Sequence, residues 1–413
     1  MAKTAEKNKG TAPYALACFE GGYYLFYGGG SLSGKCYIAS SHNLLDWQNI
    51  KTVITESAII GGGAVMPRNR KYAYLYLKKG ILGDTIRMAT TSDFLRFKRH
   101  PLPVLTCKRL PKKCRGMGAP RVVKSGEFYY MAIPTRVGKG GGVLVYKSLN
   151  LIDWRYGGML SGFEGKAGYP ALIQLEGAHI LFEQRGKYPL AVFGYRLGSA
   201  KLDDGAFLPF TEFKPIGDIV SPRITTLPDG RVILIGALRG EGGKAGRLAL
   251  PKEITLEDGK IKLRPVRELY AKRKNERAFA FTAKKPMVSL EGLSGRVIEL
   301  NVFADLKAAE AFRIGAFMSG CRGLFITLRK GKGIVELEIS NFFEKVRKFG
   351  SVPLPQSDII DMQLILLGES FECFINGGEI CVSGEIDKSL CGCSIGFDAG
   401  GEAPCEIVAY DLQ

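Results

Sequence analysis

The first 240 residues repeat one short pattern five times, and this repeat constrains the fold more than any other feature. Each copy contains an apolar, mostly aromatic segment: YYLFY at 23–27, YAYLYL at 72–77, FYYMAI at 128–133, HILFEQ at 179–184 and RVILIG at 231–236. The segment centres lie 49, 56, 51 and 52 residues apart, a spacing typical of one four-stranded blade. The repeat therefore predicts a five-bladed β-propeller.

A second signal precedes four of these segments. It is an X-Pro step, found at Ala12-Pro13, Ala119-Pro120, Tyr169-Pro170 and Ser221-Pro222, whereas the second repeat reads GGGAV at 61–65. Proline is tolerated at the first residue of a strand, because its missing N–H is not needed by the ladder there. We expect these steps to open the inner strand of each blade and to ring one mouth of the central channel.

From about residue 275 the repeat stops, and short alternating segments follow, such as 297–303, 334–339 and 405–410. This pattern is typical of antiparallel strands in a β-sandwich. The 53 glycines agree with many tight turns. We therefore predict an all-β chain, with a five-bladed β-propeller over residues 11–268 and a C-terminal β-sandwich over residues 275–413.

The charge is strongly positive. Lys and Arg outnumber Asp and Glu by 58 to 40, for a net charge of +18, which attracts anionic ligands. No nucleic-acid-binding signature is present. No apolar leader opens the chain, and no segment reaches the roughly 20 apolar residues of a membrane helix. We expect a cytoplasmic protein with no nucleic-acid or membrane partner, and the sequence leaves its oligomeric state open.

Cofactor signals are missing from the sequence. The ten cysteines form neither a disulfide framework nor CxxC pairs, and the three histidines are dispersed. The glycine clusters lack the Lys-Ser/Thr of a phosphate-binding loop. We therefore expect no metal site and no other cofactor.

Five longer motifs point to one family. They are GGYYLFY at 21–27, LLDW at 44–47, IVSPRITTLPDGRVILIG at 219–236, LALPKEITLEDG at 248–259 and FECFING at 371–377. With these motifs the chain resembles glycoside hydrolase family 32, the invertases, levanases and other β-fructosidases. The resemblance implies retaining hydrolysis of fructosides, which needs a nucleophilic carboxylate and an acid carboxyl about 5 Å apart. It also implies an Asp that binds sugar hydroxyls.

The resemblance places those three carboxylates at the X-Pro steps. This chain has no acidic residue at any of the three positions. The nucleophile position is Ala12, the stabilising Asp position is Ala119 and the general-acid position is Gly168. Glu164 is the only acid close to any of them, and one carboxyl group without a nucleophile cannot run a double displacement. The sequence therefore predicts a catalytically degenerate member, a pseudoenzyme.

Candidate ligand-binding residues lie beside the lost positions. Tyr14 and Tyr169 would either stack on a sugar ring or pack within the blades. Arg223 is expected to face the channel, either as a ligand-binding group or as the ion-pair partner of Glu183 or Glu164.

The segment 107–115 (CKRLPKKCR) carries five cations, ends at Arg115 and leads toward the third inner strand. We expect it to form a basic rim that suits phosphate or carboxylate groups, with a solvated basic loop as the alternative.

Three functions remain open at this point. The first is non-hydrolytic binding of a carbohydrate or an anionic sugar derivative through the channel mouth. The second is a glycoside hydrolase or transferase that acts on a fructoside or another sugar with non-standard residues, such as Glu164, Glu183 or a tyrosine. The third is an interaction module that binds an acidic partner.

Overall fold

The computed structural model describes residues 12–28, 34–56, 60–163, 168–185, 192–198, 214–239, 245–320, 322–341, 347–353 and 358–413. These segments are mostly β-strands, with short 3-10 helices at Cys107–Arg109 and Arg267–Lys272. The chain divides into two compact units, the first ending at residue 256 and the second covering 216–218 and 257–413. The domain limits inferred from sequence stay a prediction. Within the described part, no helix is long and apolar enough to cross a membrane.

The described part of the first unit contains five sheets that follow one another along the chain. Their strands are β1 (Pro13–Phe19), β2 (Gly22–Gly28), β3 (Lys35–Ser41) and β4 (Gln48–Thr55); β5 (Ile60–Arg68), β6 (Lys71–Lys78), β7 (Thr85–Thr91), β8 (Lys98–Arg99) and β9 (Leu105–Thr106); β10 (Cys114–Arg115), β11 (Arg121–Ser125), β12 (Phe128–Val137), β13 (Gly140–Ser148) and β14 (Arg155–Phe163); β15 (Gly168–Leu175), β16 (Ala178–Arg185), β17 (Val192–Gly198) and β18 (Lys214–Gly217); and β19 (Val220–Thr226), β20 (Val232–Arg239), β21 (Ala245–Leu248) and β22 (Lys252–Glu257).

The inner strands of these sheets close a ring. Strand β1 contacts β5, β5 contacts β11, β11 contacts β15, β15 contacts β19, and β19 returns to β1. The five-bladed β-propeller is therefore confirmed. The apolar segments of the repeat form the second strand of each blade, and their rings pack between blades: Phe26 stacks on Tyr74 with centroids 4.6 Å apart.

Four inner strands begin with an irregularity in their pairing with the second strand. The register shifts fall between Pro13 and Ala15, Ile60 and Gly63, Gly168 and Ala171, and Val220 and Arg223. A bulge leaves one residue out of the ladder, so proline costs no hydrogen bond there. X-Pro steps lie at three of these four bulges, whereas Ala119-Pro120 lies where the ladder with β12 is interrupted between Arg115 and Arg121. Bulges redirect side chains at the rim of a sheet.

The second unit contains two packed sheets, so the predicted β-sandwich is also confirmed. The unit begins with β23 (Lys260–Pro265), which belongs to neither sheet of the sandwich. The strands of the two sheets are β24 (Arg273–Ala283), β25 (Val288–Ser294), β26 (Val297–Asp305), β27 (Ala309–Ser319), β28 (Arg322–Lys330), β29 (Ile334–Asn341), β30 (Arg347–Pro353), β31 (Ile359–Leu367), β32 (Ser370–Ile375), β33 (Ile380–Glu385), β34 (Ser394–Gly401) and β35 (Ala403–Leu412).

One sheet of the sandwich has the order β33-β32-β31-β26-β35-β24, and the other has the order β25-β34-β27-β28-β29-β30. Side chains alternate between the two faces of a strand. On β26 the buried Ile298, Leu300 and Val302 join the core between the sheets. Glu299 and Asn301 therefore point to the outer face of the first sheet.

Candidate functional site

Four residues in or next to the inner strands of the propeller meet at one point. Gly62 has φ +105°, and a Cβ atom built on it would lie 3.2 Å from Arg223 Nη2, 3.3 Å from Ala119 Cβ and 3.4 Å from Tyr14 Cδ1. We call Tyr14, Gly62, Ala119 and Arg223 the central cluster. It joins blades one, two, three and five, and it contains Ala119, where the sequence resemblance predicts a carboxylate.

The guanidinium of Arg223 is buried and held by backbone carbonyls. Arg223 is 3% exposed. Its Nε donates to the carbonyl of Tyr14 at 2.9 Å, and its Nη1 donates to those of Pro222 at 2.8 Å and Ser221 at 3.3 Å. These bonds fix the plane of the guanidinium and place its Nη2 beside Gly62.

A second buried arginine occupies the equivalent place in the third blade. Arg121 Nη1 donates to the carbonyls of Pro120 at 2.7 Å and Gly63 at 3.0 Å. The sequence analysis missed this residue. The signal was present, because Ala119-Pro120-Arg121 repeats the X-Pro-Arg pattern that ends at Arg223.

Tyr14 packs inside the propeller. Its hydroxyl donates to the carbonyl of Ile60 at 2.8 Å, and its ring fills the space beside Gly28, where an added Cβ would lie 1.9 Å from the Tyr14 hydroxyl oxygen. Of the two positions considered for Tyr14, the structure shows the one that is packed within the blades. Its contact with Gly62 still places the ring edge at the central cluster.

Ala12 and Gly168, the other two positions where the resemblance predicts carboxylates, both have backbone partners on the second strand of their blade. The carbonyl of Ala12 accepts the N–H of Gly28 at 3.3 Å, and Gly168 opens β15 opposite Gln184. Tyr169 lies in β15, but its side chain is outside the described part of the structure. Glu164 lies outside the described residues altogether.

Glu183 is fully buried on β16, and its carboxylate accepts a hydrogen bond from Arg196 Nε on β17 at 2.8 Å. This ion pair is internal to the fourth blade. Its roles in ligand binding or catalysis, like those of the other site candidates, stay predictions.

The basic segment lies at the end of the third blade where Ala119 is found. Strand β10 pairs with the part of β12 that extends beyond the start of β11. The backbone is anchored, because Cys107 N–H donates to Asp84 O at 3.1 Å and Met117 N–H to Asp84 Oδ2 at 3.2 Å. All five cationic side chains are exposed: Lys108, Arg109, Lys112, Lys113 and Arg115.

A carboxylate that the sequence analysis did not consider follows β4. Glu56 accepts the hydroxyl of Tyr76 at 2.7 Å and the Nζ of Lys78 at 2.9 Å. Burial raises the pKa of Glu56, but the hydrogen bonds from Tyr76 and Lys78 outweigh burial and lower the pKa overall. Glu56 is therefore ionised at neutral pH, and the group cannot serve there as a protonated general acid.

Among the residues that the structure describes, no group of three or more His, Cys, Asp or Glu side chains is arranged to hold a metal ion. The cysteines in this part of the chain are free thiols.

No family model matches the chain, but curated relatives are similar to most of it. A sucrose-6-phosphate hydrolase from Zymomonas mobilis is 24% identical over 418 residues, which cover 88% of this chain and 81% of that protein. A sucrose-6-phosphate hydrolase from Bacillus subtilis is 27% identical, covering 72% of this chain and 66% of its own length.

Solved structures share the fold over nearly the full length. A sucrose-6-phosphate hydrolase from Lactobacillus gasseri has a TM-score of 0.81 at 16% identity and covers all of this chain and 94% of its own. Fructan 1-exohydrolase IIa from Cichorium intybus has a TM-score of 0.84 at 16% identity, with coverage of 97% and 94%. The chain is therefore a glycoside hydrolase family 32-like protein, related in sequence to sucrose-6-phosphate hydrolases and sharing the β-fructosidase fold.

Proposed function

We propose that this chain binds an anionic carbohydrate, such as a sugar phosphate, at the channel mouth and does not hydrolyse it. The observation that carries the proposal is the placement of the Arg223 guanidinium beside Ala119, a position where the family has a carboxylate. The central cluster is thus positive where a β-fructosidase is negative.

Hydrolysis of a glycoside passes through an oxocarbenium-like transition state, which is positively charged. With Ala12 and Ala119 the chain offers methyl groups in place of the nucleophile and the stabilising carboxylate. Like charges repel, so the buried Arg223 guanidinium disfavours a positive charge that develops nearby. The same charge favours a bound anion.

The relatives support a sugar ligand. The curated proteins are named for hydrolysis of sucrose 6-phosphate, whose phosphate would match the exposed cations of the basic segment. Solved neighbours contain sucrose in a Bombyx mori β-fructofuranosidase and 1-kestose in the Cichorium intybus enzyme. A phosphorylated sugar therefore combines the ligand class of the fold with the charge of this chain.

Isothermal titration calorimetry tests the proposal with sucrose 6-phosphate, sucrose and inorganic phosphate. We expect the sugar phosphate to bind at least tenfold more tightly than either of the others. A Lys112→Ala/Lys113→Ala variant is expected to weaken this binding about tenfold, because two phosphate-attracting charges are lost. The matched control is Lys71→Ala/Lys98→Ala, which removes two exposed lysines outside the basic segment and is expected to bind like the wild type.

The salt dependence of binding and a test for fructose release can each contradict the proposal. Binding through exposed cations weakens as salt rises, so a salt-independent affinity, or equal affinity for sucrose and its phosphate, overturns the anionic ligand. Release of free fructose that is abolished by Glu183→Gln would instead favour an enzyme with non-standard residues.

A further inference from the structure

The second unit contains a cavity of 190 Å³ that the proposed function does not use. It lies on the outer face of the first sandwich sheet, and its lining includes Arg264, Tyr270, Arg273, Asn301, Phe303 and Asp361. Its volume corresponds to about six water molecules at roughly 30 Å³ each. The cavity is therefore of a size that suits one sugar ring.

A buried carboxylate organises the polar wall of this cavity. Glu299 is completely buried and accepts Arg273 Nε at 2.8 Å and Arg273 Nη2 at 2.5 Å. The same carboxylate accepts Gln363 Nε2 at 2.7 Å and Asn301 Nδ2 at 3.3 Å. Burying a charge is costly and gives little net stability, but this one fixes the positions of three lining side chains from strands β24, β26 and β31.

Two aromatic rings form the apolar side of the cavity. Phe303 on β26 is 45% exposed, and Tyr270 in the 3-10 helix Arg267–Lys272 is 40% exposed, whereas Glu299 is completely buried. The guanidinium of Arg273 lies 4.2 Å from the centroid of Tyr270 and 4.5 Å from that of Tyr410. These contacts hold Tyr270 in place by cation–π attraction. Phe303 therefore offers an apolar surface beside a rigid polar wall.

Both arginines of the cavity are already paired with carboxylates. Arg273 is paired with Glu299, and Arg264 donates to Glu257 through Nη2 at 2.8 Å. Asp361 accepts the N–H of Gly377 at 3.0 and 3.1 Å, and burial raises its pKa. A bound phosphate would gain from the arginines but would be repelled by Asp361. A sugar hydroxyl both donates and accepts, so it suits carboxylate and amide acceptors beside guanidinium donors.

We propose that this cavity is a second carbohydrate site, which binds one neutral sugar ring by apolar contact with Phe303 and by hydrogen bonds to Asp361 and Asn301. Ligand sites commonly combine apolar walls with a few fixed polar groups. The site lies wholly within the second unit and does not depend on the ligand of the propeller.

Saturation-transfer NMR titration of the full chain with D-fructose and with sucrose tests this site. Phe303→Ala removes the apolar surface at an exposed position and is expected to weaken binding about tenfold. Asp361→Asn removes the charge at nearly constant volume and is expected to weaken binding several-fold. The matched control is Ile359→Ala, since Ile359 is 43% exposed on the same sheet and is absent from the cavity lining.

Three results overturn the second site. They are no transfer to either sugar, equal affinity in wild type and Phe303→Ala, and competition by inorganic phosphate. The Lys112→Ala/Lys113→Ala variant separates the two proposals, because it is expected to leave neutral-sugar binding at this site unchanged. Loss of sugar-phosphate binding with retained sucrose binding, or the reverse, shows which proposal fails.

Discussion

A single methyl group added at Gly62 tests the packing of the central cluster. In Gly62→Ala the new Cβ would lie 3.2 to 3.4 Å from Arg223, Ala119 and Tyr14. Arg223 and Tyr14 cannot easily move away, because both are buried and hydrogen-bonded to backbone carbonyls. The positive φ costs an alanine about 1 to 2 kcal/mol, and crowding adds about 1 to 3 kcal/mol. The variant should therefore lose about 2 to 5 kcal/mol of unfolding free energy.

Gly230→Ala is the matched control for the backbone term. Gly230 has φ +86°, and its added Cβ would meet no atom within 4 Å, so only the cost of positive φ applies. Trp47 and Trp154 are the two tryptophans of the chain and both lie in the propeller, so urea unfolding followed by tryptophan fluorescence reports on this unit. Equal losses in the two variants would refute the close approach at Gly62.

Three further outcomes are expected. Asn150→Ala should lower the unfolding free energy of the propeller by about 1 to 3 kcal/mol, because its side-chain oxygen accepts two backbone N–H groups at 2.9 Å; urea unfolding of the variant measures this, and a loss below about 0.5 kcal/mol contradicts it. Tyr76→Phe should destabilise less at pH 3 than at pH 7 in the same assay. Glu56 has a lowered pKa in the fold, so its stabilisation is present above the ordinary glutamate pKa of about 4.3 and is lost as pH falls through the folded value; a pH-independent difference contradicts this. Mass spectrometry of the native protein after iodoacetamide treatment should find Cys391 alkylated and Cys36 protected, since Cys391 is exposed whereas burial raises the pKa of Cys36 to about 12; a labelled Cys36 would be the contrary result.

The propeller could be predicted from sequence because its signals are local. An apolar segment of the repeat is the second strand of a blade, and its spacing gives the blade length. The turns between the third and fourth strands of a blade are also local. Asp93 accepts the N–H groups of Leu95 and Arg96 at 2.8 Å, and Asn150 accepts those of Ile152 and Asp153 in the third blade. These turns hold Leu44, Phe94 and Leu151 at positive φ, so the same short pattern recurs where the same geometry is needed.

The central cluster could be predicted only in part because it depends on distant parts of the chain. The hydrogen bond from Arg223 to Tyr14 joins residues 209 positions apart, and no short motif reports such a contact. The position of Ala119 followed from a motif, but its proximity to Gly62 and Arg223 required the closed ring of blades. Arg121 was recognisable by its X-Pro-Arg pattern, which acquires meaning only once Arg223 is seen to donate to carbonyls.

The cavity of the second unit had no readable signal for a similar reason. Phe303 and Asp361 are separated by 58 positions and lie on the paired strands β26 and β31, where Phe303 is directly opposite Asp361. Alternation places both on the outer face, but the strand order of a sandwich does not follow from the sequence alone. The burial of Glu299 could not be predicted either, since a glutamate between apolar residues is ordinary in a half-exposed strand.

The irregular starts of the inner strands explain how the prolines are accommodated there. Where the ladder is interrupted, carbonyls need other donors, and Arg121 and Arg223 donate to such carbonyls at Pro120 and Pro222. Proline and arginine thus maintain the start of an inner strand, whereas a carboxylate at Ala119 would serve only chemistry. The same two arginines also bring positive charge to this end of the channel. The charge on which the proposed anionic ligand depends thus belongs to side chains that also donate hydrogen bonds to the backbone of the blades.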